Sequence, residues 1–258
     1  MRPLWTGAIG FGLVNIPVKL FSATESSNID LDMLDKKDHS HIKYMRVNEK
    51  TGKEVKWENI VKGYNTGNKY VVLDEKDFEK ASAVKTKLIE ITDFVKAEEI
   101  DSVYYEMPYY LAPEKGGERP YALLREALLK TKKAGVATFV MRNKEHLAIL
   151  RASGDVIILN RIRFHEEIRK TADLSLPVKS AVKLAELKMA EALIGQLSGK
   201  FNISKYKDTY NASLMKVINA KSKGKKTAEP VMKIVHSKAK DLMEQLKASM
   251  ETKKKKAS

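Results

Sequence analysis

Between Val14 and Leu20 every second residue is apolar. Val14, Ile16, Val18 and Leu20 alternate with Asn15, Pro17 and Lys19. A period of two places the first set on one face of an extended chain and the second on the other, which predicts a strand with one buried face. The same alternation returns in residues 42–47 (IKYMRV) and 53–57 (KEVKW). The Thr51-Gly52 turn between them predicts a hairpin. A turn near Asn65-Thr66-Gly67 leads to KYVVL at 69–73, and Asp74 then caps a short helix, DEKDFEKA. Further strands are predicted over 87–95, 102–111, 136–142, 146–151 and 156–164. Among them Pro120 opens a helix, YALLREALLKTKK, with Leu124, Leu128 and Ala127 inward and Gly135 as its stop.

From Pro177 the period changes. Val178, Ala181, Val182, Ala185, Met189 and Leu193 recur at steps of three and four until Gly195 and Gly199. YKDTYNASLMKVINA predicts a second helix, and KSKGKKTAEP at 221–230 reads as a linker. A last helix carries Val235, Ala239, Leu242, Leu246 and Ser249 on one stripe, followed by KKKKAS. No internal repeat is visible. Many short strands, one embedded helix and a helical final third give an α+β chain. The expected form is an antiparallel β-barrel core over residues 1–176 with a helical arm over 177–220, the linker, and a C-terminal helix and basic tail over 231–258. A strongly twisted sheet with helices on one face is the competing architecture.

Composition narrows the possibilities. The 258 residues, 43% of them hydrophobic, suffice for a core, and the absence of cysteine excludes disulfides, thiolate metal sites and a cysteine nucleophile. The apolar run after Arg2 is broken by Gly7, Gly10, Gly12, Asn15, Pro17 and Lys19, so it makes no secretory core, and no stretch reaches membrane-spanning length. The expected setting is cytoplasmic, with no membrane partner. Net charge is +15, of which residues 201–258 hold +10 and residues 36–62 hold +4. A near-neutral body with two basic appendages calls for a polyanionic partner.

Catalytic chemistry has one foothold. Asp30, Asp32, Asp35, Asp38, His39 and His41 could be a nuclease metal site. Their interleaving with Lys36 and Lys37 suits a solvated loop better. His146 and His165 lack an evident acid–base partner, and no phosphate-cradling glycine loop, nucleophile elbow or HExxH is present. The chain is expected to be no enzyme and to need no metal or cofactor. Tyr104, Tyr105, Tyr109 and Tyr110 could stack on bases, but neighbours on a strand face opposite ways, which favours packing within the barrel.

The order of motifs along the chain resembles the bacterial Ku family. It runs through FGLVNIPVKLFSATE (11–25), TGKEV with IVKGY (51–64), IEITDFVKAEEID (89–101), YYLAPEKGGERPYALLREAL (109–128), FVMRNKEHLAILR (139–151) and DLMEQLKASME (241–251). The resemblance implies a β-barrel with an inserted β-ribbon bridge, a homodimeric ring threaded by duplex DNA from an end, and a role in non-homologous end joining. It also implies a nucleoid-associated location and that the FVMRNKEHLAILR strands share in the dimer seam. The bridge is then expected at residues 28–68. Folded as one two-stranded ribbon, those roughly forty residues give about 20 residues of reach, or roughly 65 Å at about 3.3 Å per residue, against the order of 40 Å for half a circuit of a duplex.

On this reading Lys36, Lys37, Lys43, Arg46, Lys50, Lys53, Lys56 and Lys62 are candidate phosphate contacts, about half of them facing DNA, and Lys253, Lys254, Lys255 and Lys256 add non-specific affinity. The stripe of Val235, Leu242 and Leu246 resembles the segment by which the family recruits ATP-dependent DNA ligase D, and folding back on its own protomer is the other use open to it. A general nucleoid-type DNA binder and the metal-dependent nuclease are the rivals.

Overall fold

The computed structural model describes residues 1–81, 87–177 and 182–225, together with Met243, Gln245, Leu246, Lys247 and Ser249. The chain divides into two compact units, Met1–Ser26 with Asp30–Lys170, and Ser27–Ile29 with Thr171–Ser258.

The first unit is built on a closed seven-stranded barrel. Its strands are β1 (Trp5–Phe11), β2 (Val14–Ser22), β5 (Leu88–Lys96), β6 (Tyr105–Pro113), β7 (Lys133–Met141), β8 (Lys144–Ser153) and β9 (Val156–Ile162). They close in the order β1-β2-β6-β9-β8-β7-β5. Six of the seven pairings are antiparallel; the seam, β1 against β5, is parallel, with Ala8, Ile9 and Gly10 opposite Leu88, Ile89 and Glu90. Period-two alternation fills the interior. Ile9, Ile16, Val18, Leu20, Ile89, Leu111, Leu150, Ile157 and Leu159 are fully buried there, with Phe139 the largest side chain among them. A second cluster forms where Tyr104 and Tyr105 pack against Ala134, Ile149 and Ile162.

The first strand departs from the expectation. The alternation from Val14 is real, but β1 precedes it, and Val14 lies beside the hairpin turn at 41% exposure, outside the core it was expected to join. Gly7, Gly10 and Gly12 had counted only against a secretory core. They are instead what lets β1 sit close to its neighbours, since a Cβ on Gly7 would lie 2.3 Å from the Lys87 carbonyl oxygen. At Gly12, φ is +58°, which turns the chain into β2.

Helix α2 (Glu118–Thr131) buries Tyr121, Leu124 and Leu128 on the barrel core. It starts two residues before Pro120, which the first turn tolerates because amides there have no intrahelical acceptor. Ala127, expected inside, is exposed. The stop is Lys132 at φ +56°, and Gly135 lies within β7, where its missing side chain admits Ile91 and Phe94. The β7–β8 hairpin turns at Arg142 and Asn143, with φ of +53° and +66°.

Between β2 and β5 runs the inserted arm, which includes β3 (Lys62–Asn65), β4 (Tyr70–Leu73) and the short helix α1 (Glu75–Ala81). Asp74 accepts the Asp77 amide at 2.9 Å, as expected of a cap.

The second unit holds α3 (Leu184–Leu197) and α4 (Thr209–Ser222), and neither helix has a buried residue. Asp208 caps α4, accepting the Tyr210 amide at 2.8 Å. Among the described residues no helix is long and apolar enough to cross a membrane.

Candidate nucleic-acid interface

The arm is a series of three short hairpins, not the single long ribbon on which its reach was reckoned. In the first, the Asp35 amide donates to Ser40 and the Ile42 amide to Met33, around one bridge between Leu34 and His41. In the second, the Val55 amide donates to Arg46 and the Asn48 amide to Lys53, around the bridge between Val47 and Glu54. The third is the β3–β4 pair, Lys62 opposite Leu73 through Asn65 opposite Tyr70. A side-chain oxygen holds each turn. Asp35 accepts the Lys37 amide at 2.7 Å, Asn48 the Lys50 and Thr51 amides, and Asn65 the Gly67 amide at 2.8 Å.

This geometry distributes the charge. Lys36 and Lys37 occupy the first turn and Lys50 the second. Lys43, Arg46, Lys53, Lys56 and Lys62 lie on the limbs and connections, and all eight are exposed. Among the described residues none of the eight forms an ion pair, so their charge stays available to a partner. Two are held in place by aromatic rings: Arg46 lies 4.7 Å from the Trp57 ring centre and Lys62 lies 4.8 Å from that of Phe78.

None of residues 30–81 is buried, yet the arm is rich in large apolar side chains. Tyr44 is 80% exposed and Trp57 72%, and Met45, Val61, Tyr64 and Tyr70 are also exposed. Reading for charge alone overlooked them. Their signal was the interleaving of aromatic and basic residues in a segment with no apolar partner strand. Exposed apolar area on this scale marks an interaction surface.

The acidic cluster takes another role. Asp38 accepts the Ser40 amide at 3.0 Å, and that bond with the Ser40 hydroxyl lowers its carboxyl pKa. His39 adopts φ +58° in the same turn. Among the described residues no group of three or more His, Asp or Glu side chains converges as a metal site would need. The four tyrosines are largely absorbed by packing. Tyr109 is 6% exposed in the core, and the Tyr104 hydroxyl lies 3.1 Å from His165 Nδ1. His146 rests on Phe139 with ring centres 5.6 Å apart. Burial lowers its pKa, helped by Arg161 and Lys144.

Of the stripe near the C-terminus, Leu246 is helical and half-buried, while Val235 and Leu242 lie outside the described residues, as do Lys253, Lys254, Lys255 and Lys256.

Comparison with known proteins adds the decisive likeness. The protein named "Non-homologous end joining protein Ku" from Coxiella burnetii is 41% identical, over 98% of this chain and 96% of its own length. Its namesake from Opitutus terrae is 43% identical over 86% of this chain and 80% of its own length. That from Archaeoglobus fulgidus is 40% identical over 97% and 99%. Residues 10–189 match the Ku70/Ku80 beta-barrel domain, a stretch that takes in most of the closed barrel and the whole arm. A barrel of this order, with this arm let in between β2 and β5 and with that breadth of identity, places the chain in the Ku family.

Proposed function

We propose that two copies of this chain form a ring that admits duplex DNA only from a broken end, and that the complex serves non-homologous end joining. The observation that carries the reading is the arm, mounted on a closed barrel, whose stretch 36–62 is net +4 and presents eight exposed cations with no ion pair among the described residues. The names of the relatives support the process, since each is called a non-homologous end joining protein. The exposed aromatic and aliphatic residues of the arm support self-association, because a segment without a core of its own gains most by burying them on a second copy.

Phosphate contacts carry no base information, so binding is indifferent to sequence and falls steeply with salt. The ring supplies the selectivity. It needs no catalytic group, and its place is with the nucleoid in the cytoplasm. The segment containing Val235, Leu242 and Leu246 serves to dock ATP-dependent DNA ligase D, and the lysines at 253–256 tether DNA without regard to sequence.

The test compares affinity for a linear duplex with that for the same sequence as a covalently closed circle, at matched salt. Strong preference for the linear form is expected. Equal affinity would remove the threading claim and leave a general nucleoid-type binder.

A further inference from the structure

The barrel carries a second concentration of positive charge, on elements outside the arm. A cavity of about 600 Å³ is lined by Lys96, Lys132, Lys133 and Arg151, with Glu98 as its one acid and Leu128 among its apolar walls. The four cations come from the end of β5, the residue after α2, the start of β7 and the last third of β8.

Several features resist an explanation by solubility. Lys96 and Lys133 are direct partners across the β5–β7 ladder, and like charges in that position repel at Cβ separations of about 5 Å. Lys132 holds φ +56°, a conformation in which glycine or asparagine is the less strained choice. Arg151 is half-buried, and its Nε donates to Oδ1 of Asn160 at 3.0 Å, a neutral partner that leaves the charge uncompensated and fixes the guanidinium. Among the described residues none of the four has a carboxylate within ion-pair distance. The carbonyls ending α2 attract a cation at Lys132, but they do not account for Lys96 or Arg151.

Mutual repulsion and an oriented, unneutralised guanidinium are relieved together by one kind of ligand. We propose that this cavity binds clustered phosphoryl groups, supplied either by adjacent diesters of a nucleic-acid backbone or by a free oligophosphate. Its volume falls within the usual range for ligand pockets. Lys96 and Lys133 clamp one phosphoryl group as point charges, and the free edge of the Arg151 guanidinium takes another in bidentate fashion. The nucleic-acid arm of this proposal rests on the reading of the chain as a DNA binder; the oligophosphate arm does not.

The experiment uses the full chain, the paired variant Lys96→Ala/Lys133→Ala and the charge-keeping pair Lys96→Arg/Lys133→Arg. Without ligand the alanine pair is expected to melt no lower than wild type, because a repulsion is gone. Sodium tripolyphosphate should raise the wild-type and arginine-pair midpoints saturably and leave the alanine pair unmoved. If the source is a duplex, the slope of log affinity against log salt becomes shallower by about 2 in the alanine pair. If the source is a free oligophosphate, that slope stays and only the tripolyphosphate response is lost. The proposal is overturned when neither measurement separates the alanine pair from wild type. Failure of wild type to bind duplex at all would defeat the end-binding reading instead, and the tripolyphosphate response alone would then decide the pocket.

Discussion

Tyr121 donates its hydroxyl to the Leu111 carbonyl at 2.6 Å and accepts the Ile157 amide at 2.8 Å, joining α2 to the last residue pair of the β6–β9 ladder. Both bonds are buried, and burial raises the phenol's pKa. Tyr121→Phe strands a carbonyl and an amide and is expected to cost about 1–3 kcal/mol in urea denaturation; an unchanged midpoint would show that the two groups find other partners. Sequence alone marked Leu124 and Leu128 on this face but passed over Tyr121, whose polar end is tolerable inside only because two specific backbone groups await it. His146 offers a second residue-level test. Its folded-state pKa lies below the ordinary 6.5, through burial first and then Arg161 and Lys144, with Glu106 opposing. The unfolded chain therefore takes up the proton more readily, so the histidine's contribution is complete above about pH 6.5 and is lost as pH falls. Melting temperatures of His146→Gln, followed from pH 7.5 to 5, should decline less than those of wild type. Parallel declines would assign the acid sensitivity to other groups.

At the level of elements, the strands from 87 onward and the cap at Asp74 were legible because alternation and turn residues act over a few positions. The first strand was hidden because Gly7 and Gly10 look like breaks until a neighbouring strand is present to need them. The arm's charge was equally plain, but its form was not. Asp35, Asn48 and Asn65 fold it into three separate turns, and the rings beneath Arg46 and Lys62 become their neighbours only through those turns. Replacing Lys43, Arg46, Lys53 and Lys56 with alanine should flatten the salt dependence of duplex binding. With half of them on phosphates, the slope becomes shallower by about 2. A slope equal to wild type would take these four side chains off the interface. Because none of the four is buried, and none is ion-paired among the described residues, the variant should keep its melting temperature, which makes the binding result interpretable.

On the scale of the whole molecule, each unit leaves apolar surface uncovered. In the second, Leu184, Ile194, Leu197, Phe201 and Tyr210 are each more than half exposed, so its helices invite association with other surfaces. Removal of residues 231–258 is expected to weaken stimulation of ATP-dependent DNA ligase D more than binding to DNA ends. A larger loss of end binding would make that segment chiefly a DNA anchor. The barrel, by contrast, is complete in itself. Its parallel seam joins residues 8–10 to residues 88–90, so for the barrel everything between β2 and β5 is one excursion returning to a fixed address. The entropy of closing such an excursion rises only with the logarithm of its length, about 0.6 kcal/mol for each doubling. Insertions and deletions there can resize the excursion over a wide range at little cost to folding, while the barrel that anchors both its ends keeps its register.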